Sequence, residues 1–571
     1  MELKKILAGL EGLKVKGSLD LDINNLDSDS RNINDGDMFV AIKGFDIDGH
    51  EYIKEAIGNG AKVILAQIDI DRKIIKEIPD DVTIILSENT RHALAICACN
   101  FYGNPSKKVK LIGITGTKGK TTTSFMTKAI LEKEGKKVGL IGTIACYIGS
   151  KKLEDSDRTT PESLKLQKIF KQMVDEGCEV IVMEVSSQSL KLHRVDGCVF
   201  DIAVFTNFSE DHISEKEHPD MEDYFNSKLK LFHMCKTGYV NADDLHTAKI
   251  PKMLPDNDIS TYGIDNYCNL LAKDITITNS YVDFKVKLGQ RNERVKTFIP
   301  GRFSVYNSLA AICVGLKLGC SAENIKEALL EVRVPGRSEL VDNKKDLTIM
   351  IDYAHSPESL ENILNAVKSY TRGRVISVFG CGGDRDPGKR PIMGEISGRI
   401  ADFTFITSDN PRTEKPEEIV NEIEAGIKKT KGNYKVVVDR TEAIKEAIEM
   451  ATKLARNMIT LYGMSDEFDM MALENVENRY LDGTKVSLVG EHTVAEVDKA
   501  VLDVIKTCHI KAKNIIEEQK TALEEISNFL FEKETISGEE FMDILKKYVD
   551  FPEKEEKKEE SISEENNKPE E

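Results

Sequence analysis

The chain has 571 residues, of which 40% are hydrophobic and 31% charged, and its formal net charge is −18. This length exceeds one hydrophobic core, and the acidic balance argues against non-specific binding to nucleic acid. No apolar run approaches the ~20 residues that cross a bilayer. The eleven scattered cysteines include no C-x-x-C pair, and the amphipathic start does not read as a signal peptide. We therefore expect a cytoplasmic protein without a membrane span.

Strand-like and helix-like segments alternate along most of the chain and predict an α/β fold. Helix patterns occur at 52–59 and 90–101. Apolar runs typical of strands occur at 38–42, 63–66, 82–86, 109–114, 137–141, 180–183, 202–206, 347–352, 375–379, 403–407 and 434–438. Pro and Gly near 103–105 and 335–336 punctuate the pattern. They divide it into three α/β domains at 1–105, 106–334 and 335–447.

The alternation within 106–334 predicts a parallel sheet with helices on both faces. After 447 the character changes to long charged helices, with no further clear strand expected over 448–550. Residues 551–571 form an acidic tail that we expect to be disordered. The predicted architecture is thus three α/β domains followed by an α-helical extension.

A glycine-rich segment follows the strand at 109–114 and precedes a helix pattern. It contains Gly116, Thr117, Lys118, Gly119, Lys120, Thr121 and Thr122. In such a loop the backbone N–H groups and the helix N-terminus face a phosphate, the lysine adds a charge and the hydroxyl reaches Mg²⁺. The strict nucleotide-loop pattern has a glycine where this chain has Ile114, so a simple turn is the alternative.

Two polar positions follow neighbouring strands of the predicted central sheet. Glu184 comes directly after the strand at 180–183, and Asp211-His212 follows the strand at 202–206. Ligands bind at the carboxyl ends of strands in open α/β sheets, and both groups suit Mg²⁺ beside ATP, although imidazole is an uncommon ligand for that ion. The alternatives are a helix N-cap for Glu184 and a hydrogen-bonded polar residue for His212.

From about residue 26 to about 446 the chain resembles the Mur ligase family, and in particular those members that add the third amino acid to the peptidoglycan precursor. The matching motifs include Asp29-Ser30-Arg31, Thr159-Thr160-Pro161-Glu162-Ser163, Glu184-Val-Ser186-Ser187, Leu192-His-Arg194, Thr206-Asn207, His218-x-Asp220-Met221, Val305-Tyr306-Asn307, Pro335-Gly336-Arg337, Asp352-Tyr353-Ala354-His355 and Gly382-Gly383-Asp384-Arg385-Asp386. The resemblance implies an N-terminal UDP-binding domain, a central P-loop ATPase domain and a C-terminal Rossmann-like domain. It further implies that ATP phosphorylates a glutamyl carboxylate, and that an amine then attacks the acyl phosphate to form an amide.

The resemblance also implies roles for individual residues. Lys120 would hold the β- and γ-phosphates, and Lys228 matches the lysine that the family carbamylates; its alternative is a solvated helix lysine. The metal ligands would be Thr121, Glu184, His212 and the Lys228 carbamate. The ATP-binding positions would be Gly116–Thr122, Asn307, Arg337 and Asp352. The residues for the UDP-sugar peptide would be Ser30, Thr159, Thr160, Ser186 and Arg194.

The segment Asp409-Asn410-Pro411-Arg412 resembles the family signature for meso-diaminopimelate. A guanidinium can clamp the distal carboxylate of this amino acid with two parallel hydrogen bonds, and lysine has no carboxylate there. Arg385 would be a second anchor. The alternative for Arg412 is a surface arginine after a turn.

The chain departs from the family pattern at Lys118, Arg158, Gln188 and Ser304. After about 446 it resembles instead the peptidase domain of FtsH-type proteases, although no H-E-x-x-H zinc motif occurs in the sequence. Proteolysis is therefore excluded, and the segment is expected to be a helical appendage capable of self-association. Gly463 and Glu467 have the spacing of a Gly and a Glu that help to hold the amino acid in the family.

Two hypotheses follow. The first is a working ligase that uses ATP, Mg²⁺, a UDP-N-acetylmuramoyl dipeptide and meso-diaminopimelate. The second is a protein that binds nucleotide and UDP-sugar peptide but ligates poorly, because the last segment of its third domain is replaced and a sheet edge is left exposed.

Overall fold

The computed structural model describes residues 1–451 except 45, 46, 71, 212, 215, 216, 279, 342–347 and 372. Beyond 451 it describes 474–476, 485–487 and the single residues 525, 527, 529, 543, 544 and 547. The chain divides into two compact units, Met1–Ala447 and Ile448–Glu571. Within the first unit we refer to residues 1–105 as the N-terminal region, 106–334 as the central region and 335–447 as the third region.

The N-terminal region is built on one five-stranded sheet. Its strands are β1 (Lys14–Lys16), β2 (Leu26–Asp27), β3 (Met38–Val40), β4 (Val63–Gln67) and β5 (Thr83–Ser87). Its helices are α1 (Leu3–Ile6), α2 (Ile53–Gly58), α3 (Arg72–Glu77) and α4 (Thr90–Phe101). The order is β1-β5-β4-β3-β2, in which only β1 runs antiparallel to its neighbour. Helix α4 begins where the Asn89 side chain accepts from the N–H groups of Arg91 and His92, a standard N-cap.

The central region contains a nine-stranded sheet. Its strands are β6 (Lys110–Thr115), β7 (Val138–Ile141), β8 (Ala145–Ile148), β9 (Lys151–Asp155), β10 (Val180–Glu184), β11 (Phe200–Phe205), β12 (Cys235–Asn241), β13 (Asp258–Gly263) and β14 (Leu270–Leu271). Its helices are α5 (Lys120–Lys133), α6 (Ser163–Asp175), α7 (Ser187–Lys191), α8 (Met221–His233), α9 (Ile250–Met253), α10 (Arg302–Lys317) and α11 (Ala322–Glu331).

This sheet has the order β14-β13-β12-β11-β6-β10-β7-β8-β9 and is parallel from β14 to β7. Successive side chains of β6 enter two different cores. Ile112 packs in a core with α5 and α10, whereas Leu111 packs on the opposite face with α6 and α8. The predicted parallel sheet with helices on both faces is therefore confirmed. The antiparallel strands β8 and β9 were not predicted.

A separate antiparallel sheet follows within the central region. It consists of β15 (Lys273–Ile277), β16 (Val282–Leu288) and β17 (Arg291–Thr297), in that order. The side chains of β16 alternate between buried and more exposed positions, which is the pattern of a strand with one covered face. The sequence predictions did not include this sheet.

The third region carries two small sheets. Strands β18 (Glu339–Val341) and β19 (Ile349–Ile351) pair antiparallel, and β20 (Ile376–Phe379), β21 (Phe403–Ile406) and β22 (Tyr434–Val436) form a parallel sheet. The helices are α12 (Pro357–Tyr370), α13 (Lys389–Ile400), α14 (Pro416–Ile427) and α15 (Arg440–Ala451).

Beyond residue 451 the described chain contains a short antiparallel pair, β23 (Glu474–Val476) and β24 (Lys485–Ser487). The prediction that no further strand occurs after 447 is wrong. Each of these strands has a single apolar residue, so no two-residue periodicity marked it. The tail at 551–571 lies outside the described residues. Among the helices that are described, none has the length and apolarity to cross a bilayer.

Candidate functional site

The predicted phosphate loop joins the end of β6 to the start of α5. Gly116 and Gly119 have φ angles of 140° and 82°, and a Cβ on Gly116 would lie 2.0 Å from the Thr206 hydroxyl oxygen. A side chain has no room there, so the turn requires glycine. Asn207 braces the loop, because its Oδ1 accepts from the backbone N–H of Lys118 at 2.8 Å.

Two buried lysine amines meet at this loop. Lys120 Nζ and Lys228 Nζ each donate to the carbonyl oxygen of Gly116 at 2.9 Å, and Lys228 Nζ lies 4.5 Å from the centre of the Tyr224 ring. Burial lowers the pKa of Lys120 to about 8, with the Glu184 carboxylate opposing the shift. Burial, together with the charge of Lys120, lowers the pKa of Lys228 well below its usual value. Such an environment favours the neutral amine, which is nucleophilic.

Glu184 lies at the end of β10, next to the phosphate loop, and is fully buried. Its Oε2 accepts from the hydroxyls of Thr121 at 2.9 Å and Thr143 at 3.0 Å, and its Oε1 accepts from the Thr143 N–H at 2.8 Å. Strands β6 and β10 are parallel neighbours, which brings the loop after one strand to the carboxylate at the end of the other. A carboxylate and a hydroxyl are the oxygen donors that Mg²⁺ prefers.

A cavity of about 330 Å³ opens beside the two lysines. It is lined by side chains from the phosphate loop, from the segments around β10 and α8 and from the third region. The lining residues are Lys120, Arg158, Thr159, Thr160, Ser186, Ser187, Gln188, Arg194, Glu217, His218, Lys228 and Arg385. The cavity thus gathers residues that the sequence assigned separately to phosphate, UDP-sugar peptide and amino acid.

Hydrogen bonds fix the wall assigned to the UDP-sugar peptide. The Thr160 hydroxyl donates to the Glu184 carbonyl oxygen at 2.9 Å and accepts from the Ser186 N–H at 3.0 Å. Arg194 donates to the Thr160 carbonyl oxygen at 3.2 Å and pairs with Glu162 at 2.9 Å. Arg194 is a buried cation, and burial lowers its pKa from the ordinary value despite the Glu162 carboxylate.

Other predicted site residues lie away from the lining of this cavity. Ser30 is in the N-terminal region, where its hydroxyl donates to Glu55 at 3.0 Å. Asn307, on α10, accepts from the Thr123 hydroxyl at 3.3 Å and closes against Gly119. It therefore borders the phosphate loop at Gly119.

Arg337 and Asp352 lie together at the start of the third region. The Arg337 guanidinium stacks over the Tyr353 ring, 4.4 Å from its centre. Asp352 accepts from the N–H groups of Ser338 and Ala354, both at 2.9 Å. The Tyr353 ring and the Arg337 guanidinium form a surface on which a flat heterocycle could stack. Neither residue lines the cavity.

Arg412 and Arg385, both assigned to the amino acid, occupy different positions. Arg385 lines the cavity. Arg412 has a φ angle of 49° and donates to the carbonyl oxygen of Gly383, and Gly383 N–H donates to the Asn410 carbonyl oxygen at 2.8 Å. Asp409 lies 3.7 Å from Arg440. The Asp409–Arg412 segment therefore supports the loop that carries Arg385.

Three residues were missed as functional candidates. Thr143 holds both oxygens of Glu184, as described above, and follows the predicted strand at 137–141. Asn207 braces the phosphate loop. His218 is fully buried, with Nδ1 2.6 Å from Asp223 Oδ2 and Nε2 2.9 Å from Ser187 Oγ; burial lowers its pKa. Asn207 and His218 belong to motifs that carry the family resemblance, and this could have marked both as candidates from the sequence.

His212, Gly463 and Glu467 lie outside the described residues. Of the four departures from the family pattern, Arg158 and Gln188 line the cavity and Ser304 is fully buried in α10. Lys118 Nζ pairs with Asp211 at 2.9 Å and donates to the Ser356 hydroxyl at 3.0 Å. Ser356 caps α12, so Lys118 links the phosphate loop to the third region.

A glycine loop at the end of the central parallel strand, a buried lysine at the helix start and an acid at the neighbouring strand define a P-loop α/β protein. The chain belongs to the Mur ligase family. Three family models match in order: the Mur ligase family catalytic domain over residues 22–102, the Mur ligase middle domain over 114–315 and the Mur ligase glutamate ligase domain over 336–463. The peptidase family M41 model matches 433–544 and overlaps the last of these.

Similar proteins and structures agree with this assignment. The chain is 47% identical over 468 residues to the UDP-N-acetylmuramoyl-L-alanyl-D-glutamate–2,6-diaminopimelate ligase of Caldanaerobacter subterraneus subsp. tengcongensis, which covers 82% of this chain and 94% of that protein. It is 47% identical over 470 residues to the enzyme of the same name from Clostridium botulinum, covering 82% and 95%. A solved structure of such a ligase shares the fold with a TM-score of 0.60 and 24% identity, over 88% of this chain and 98% of that one.

Proposed function

We propose that this protein is an ATP-dependent ligase that joins meso-diaminopimelate to the glutamyl carboxylate of UDP-N-acetylmuramoyl-L-alanyl-D-glutamate, in peptidoglycan synthesis. The observation that carries the proposal is the single cavity lined by Lys120, Lys228, Arg194 and Arg385. Lys120, Arg194 and Arg385 bring positive charge to this space, which is large enough for reacting phosphate and carboxylate groups. The names of the relatives described above supply the substrates.

In the first half of the reaction, the glutamyl carboxylate attacks the γ-phosphorus of ATP and ADP leaves, giving an acyl phosphate. Lys120 sits at the start of α5 with its amine held on loop carbonyls, from which it can turn to the β- and γ-phosphates. Phosphoryl transfer depends mainly on positioning and on neutralising charge. The braced loop and the helix N-terminus supply the positioning.

Thr121 and Glu184 would hold Mg²⁺, which supplies charge neutralisation for the phosphate oxygens. The residues fit this ion because a buried carboxylate and a hydroxyl meet at 2.9 Å beside the phosphate loop. Thr143 fixes the carboxylate by two further hydrogen bonds. His212 is a further proposed ligand from the sequence.

Lys228 would act as its carbamate, formed when the neutral amine adds to CO₂ and loses a proton. The environment fits this modification because burial disfavours the ammonium form. The carbamate replaces a buried cation by an anionic oxygen donor near the proposed magnesium site. This would also remove the second positive charge beside Lys120.

In the second half, the amine of diaminopimelate attacks the acyl carbon and phosphate leaves, so that an amide forms. Arg385 lines the cavity and would receive a carboxylate of the incoming amino acid. Arg412 would contribute to the same subsite, and its present bond to Gly383 holds the loop of Arg385 in place. Bidentate pairing with a guanidinium would distinguish diaminopimelate from lysine.

We further propose that residues 448–550 form an appendage that supports self-association and that the protein acts in the cytoplasm. The match to the M41 model over 433–544 supports the appendage. The sequence lacks the H-E-x-x-H zinc motif, so we do not propose proteolysis for this segment. The cysteines of the described part are all free thiols, which is consistent with a reducing compartment. Light scattering on the full-length chain measures its oligomeric state.

The test is an assay of the purified full-length chain with ATP, Mg²⁺ and the UDP-dipeptide, offered meso-diaminopimelate or L-lysine in parallel. Mass spectrometry of the products should show the UDP-tripeptide only with diaminopimelate. Absence of product from folded protein that binds ATP would instead support the second hypothesis, a binding protein without turnover.

A further inference from the structure

A cluster of metal-ligating side chains lies away from the proposed active site, where the N-terminal region contacts the central region. His92 Nδ1 is 2.6 Å and His193 Nδ1 is 2.7 Å from the same oxygen, Asp196 Oδ2. One ligand atom from each of the three residues lies within 4.8 Å of the other two. Nothing in the proposed ligase reaction uses these residues.

The backbone on both sides aims the side chains at a common point. His92 lies in the first turn of α4, whose start is capped by Asn89. His193 has a left-handed backbone with a φ angle of 59°, a conformation that a histidine adopts at some cost. The strained turn directs its ring toward Asp196 and α4 rather than into the cavity beside Arg194. The two imidazole rings face each other edge-on, with centroids 5.9 Å apart.

The cluster is reachable from solvent. The side chains of His92, His193 and Asp196 are 44%, 30% and 20% exposed. The cluster also holds a carboxylate, because one oxygen of Asp196 faces both imidazole rings. Two arginines are adjacent to the histidines in the sequence: Arg194 is engaged with Thr160 and Glu162, and Arg91 donates to the Lys43 carbonyl oxygen.

We propose that His92, His193 and Asp196 bind a divalent transition-metal ion of the zinc class. Two imidazole nitrogens and one carboxylate oxygen are a donor set suited to Zn²⁺ or Co²⁺, whereas Mg²⁺ prefers oxygen donors alone. Three protein ligands leave one coordination position for water, and the exposed face of the cluster provides room for it. The ion would tie α4 of the N-terminal region to the turn at 193–196 of the central region.

Binding changes the protonation of the cluster in a defined way. Both Nδ1 atoms now face the carboxylate as donors, so each imidazole must move its proton to Nε2 to offer a lone pair to the ion. His193 Nε2 lies 2.9 Å from the Asn89 side-chain nitrogen. After the proton moves, His193 Nε2–H needs an acceptor at Asn89. A carboxylate at residue 89 would be that acceptor and would strengthen the ligand.

The test is calorimetric titration of the untagged, chelator-treated full-length chain with Zn²⁺ alone, and with Co²⁺ followed by its visible absorption. The wild type should bind one equivalent at this site. His92→Gln and His193→Gln should each weaken it at least tenfold, and Asn89→Asp, which keeps the N-cap, should tighten it about tenfold. His233→Gln, an exposed histidine of α8, is the matched control and should bind like the wild type.

Circular dichroism checks that each variant is folded. The Co²⁺ spectrum separates this nitrogen and oxygen site from binding to cysteine, since thiolate ligands add intense charge-transfer bands in the near ultraviolet. Equal Zn²⁺ affinity in the wild type and the two imidazole variants would overturn the proposal. So would the absence of binding to the folded wild type at micromolar Zn²⁺.

Discussion

Lys120 and Lys228 donate to one and the same carbonyl oxygen, that of Gly116, each at 2.9 Å. Two ammonium groups so close together would repel each other, and desolvation disfavours both charges, most strongly that of the fully buried Lys228. We therefore expect the two lysines to have different roles in the reaction. Lys120 keeps the access to phosphate at the helix start, and Lys228 is the amine most favoured to be neutral.

This division predicts different kinetic losses. Lys120→Met should weaken ATP binding and turnover together, because the charge for the β- and γ-phosphates is removed. Lys228→Met should lower kcat by about 10²-fold or more while changing ATP affinity little, since a transition-state charge partner is lost. Calorimetry with ATP and steady-state kinetics measure the two effects. A Lys228→Met variant with wild-type kcat would contradict the assignment.

Carbamylation of Lys228 has a direct test. Protein incubated with ¹³C-bicarbonate should show one carbamate carbon resonance, which the Lys228→Met variant lacks. Activity should fall when CO₂ is stripped from the buffer and return when bicarbonate is added. A bicarbonate-independent enzyme without the resonance would show that Lys228 works as an amine.

Glu184→Gln should lower kcat by about 10²–10³-fold, because the amide cannot supply the negative charge for Mg²⁺. The amide oxygen of the glutamine can still accept the hydrogen bonds that the Thr121 and Thr143 hydroxyls donate to Glu184 Oε2, so the fold should persist. Thr143→Val is the companion variant, in which the carboxylate stays and loses one hydrogen bond, that from the Thr143 hydroxyl to its Oε2. It should lose less activity than Glu184→Gln. Equal activity of Glu184→Gln and wild type over a Mg²⁺ titration would exclude Glu184 as a ligand.

Arg385→Lys and Arg412→Lys should raise the KM for diaminopimelate, by about tenfold or more, and leave the KM for ATP almost unchanged. A lysine keeps the charge but cannot form two parallel hydrogen bonds. Arg399→Lys is the control in the same region, because its exposed guanidinium pairs with Glu361 and does not line the cavity. Equal increases in the KM values for diaminopimelate and ATP would indicate that the arginines affect the position of the third region and do not bind the amino acid.

The buried His218 should make stability depend on pH. Burial lowers its folded pKa below the unfolded value of 6.5, so the unfolded chain binds the proton first as the pH falls. The free energy of unfolding should therefore decrease from about pH 6.5 downward, until the folded pKa is passed. Above the unfolded pKa both states are neutral and no such dependence remains.

The comparison for this effect is the wild type against His218→Asn at about pH 7.5 and about pH 5.5. The wild type should lose more melting temperature between the two conditions than the variant does, and exposed His233→Asn should behave like the wild type. Circular dichroism is the suitable probe, because the chain has no tryptophan. A larger loss in His218→Asn than in wild type would contradict the sign.

The sequence predicted much of the central region because hydrophobic runs and glycine loops are local signals. The helix at 90–101 was placed at the bounds that the structure has, and Glu184 lies at the end of its strand beside the phosphate loop, as the strand ends implied. The meander β15–β17 escaped notice, since its strands carry many charged residues and only β16 alternates clearly. Local patterns favour long apolar strands over such amphipathic ones.

Contacts between segments far apart in the sequence could not be predicted from the sequence alone. Arg412 was expected at the amino acid, but in this structure it bonds a backbone carbonyl of the neighbouring loop. Lys118 was expected to bind ATP and was noted as a departure from the motif, whereas in this structure it contacts Asp211 and Ser356. Both depend on the packing of segments far apart in sequence, which spacing rules do not contain.

We propose that one site couples cleavage of ATP to amide formation through an acyl phosphate. The decisive experiment uses UDP-dipeptide carrying ¹⁸O in the glutamyl carboxylate, together with ATP and meso-diaminopimelate. Each amide formed should transfer one ¹⁸O atom to the released inorganic phosphate, measured by mass spectrometry. Amide formation with unlabelled phosphate would contradict the acyl phosphate, and a folded, ATP-binding chain that forms no amide would contradict the ligase assignment itself.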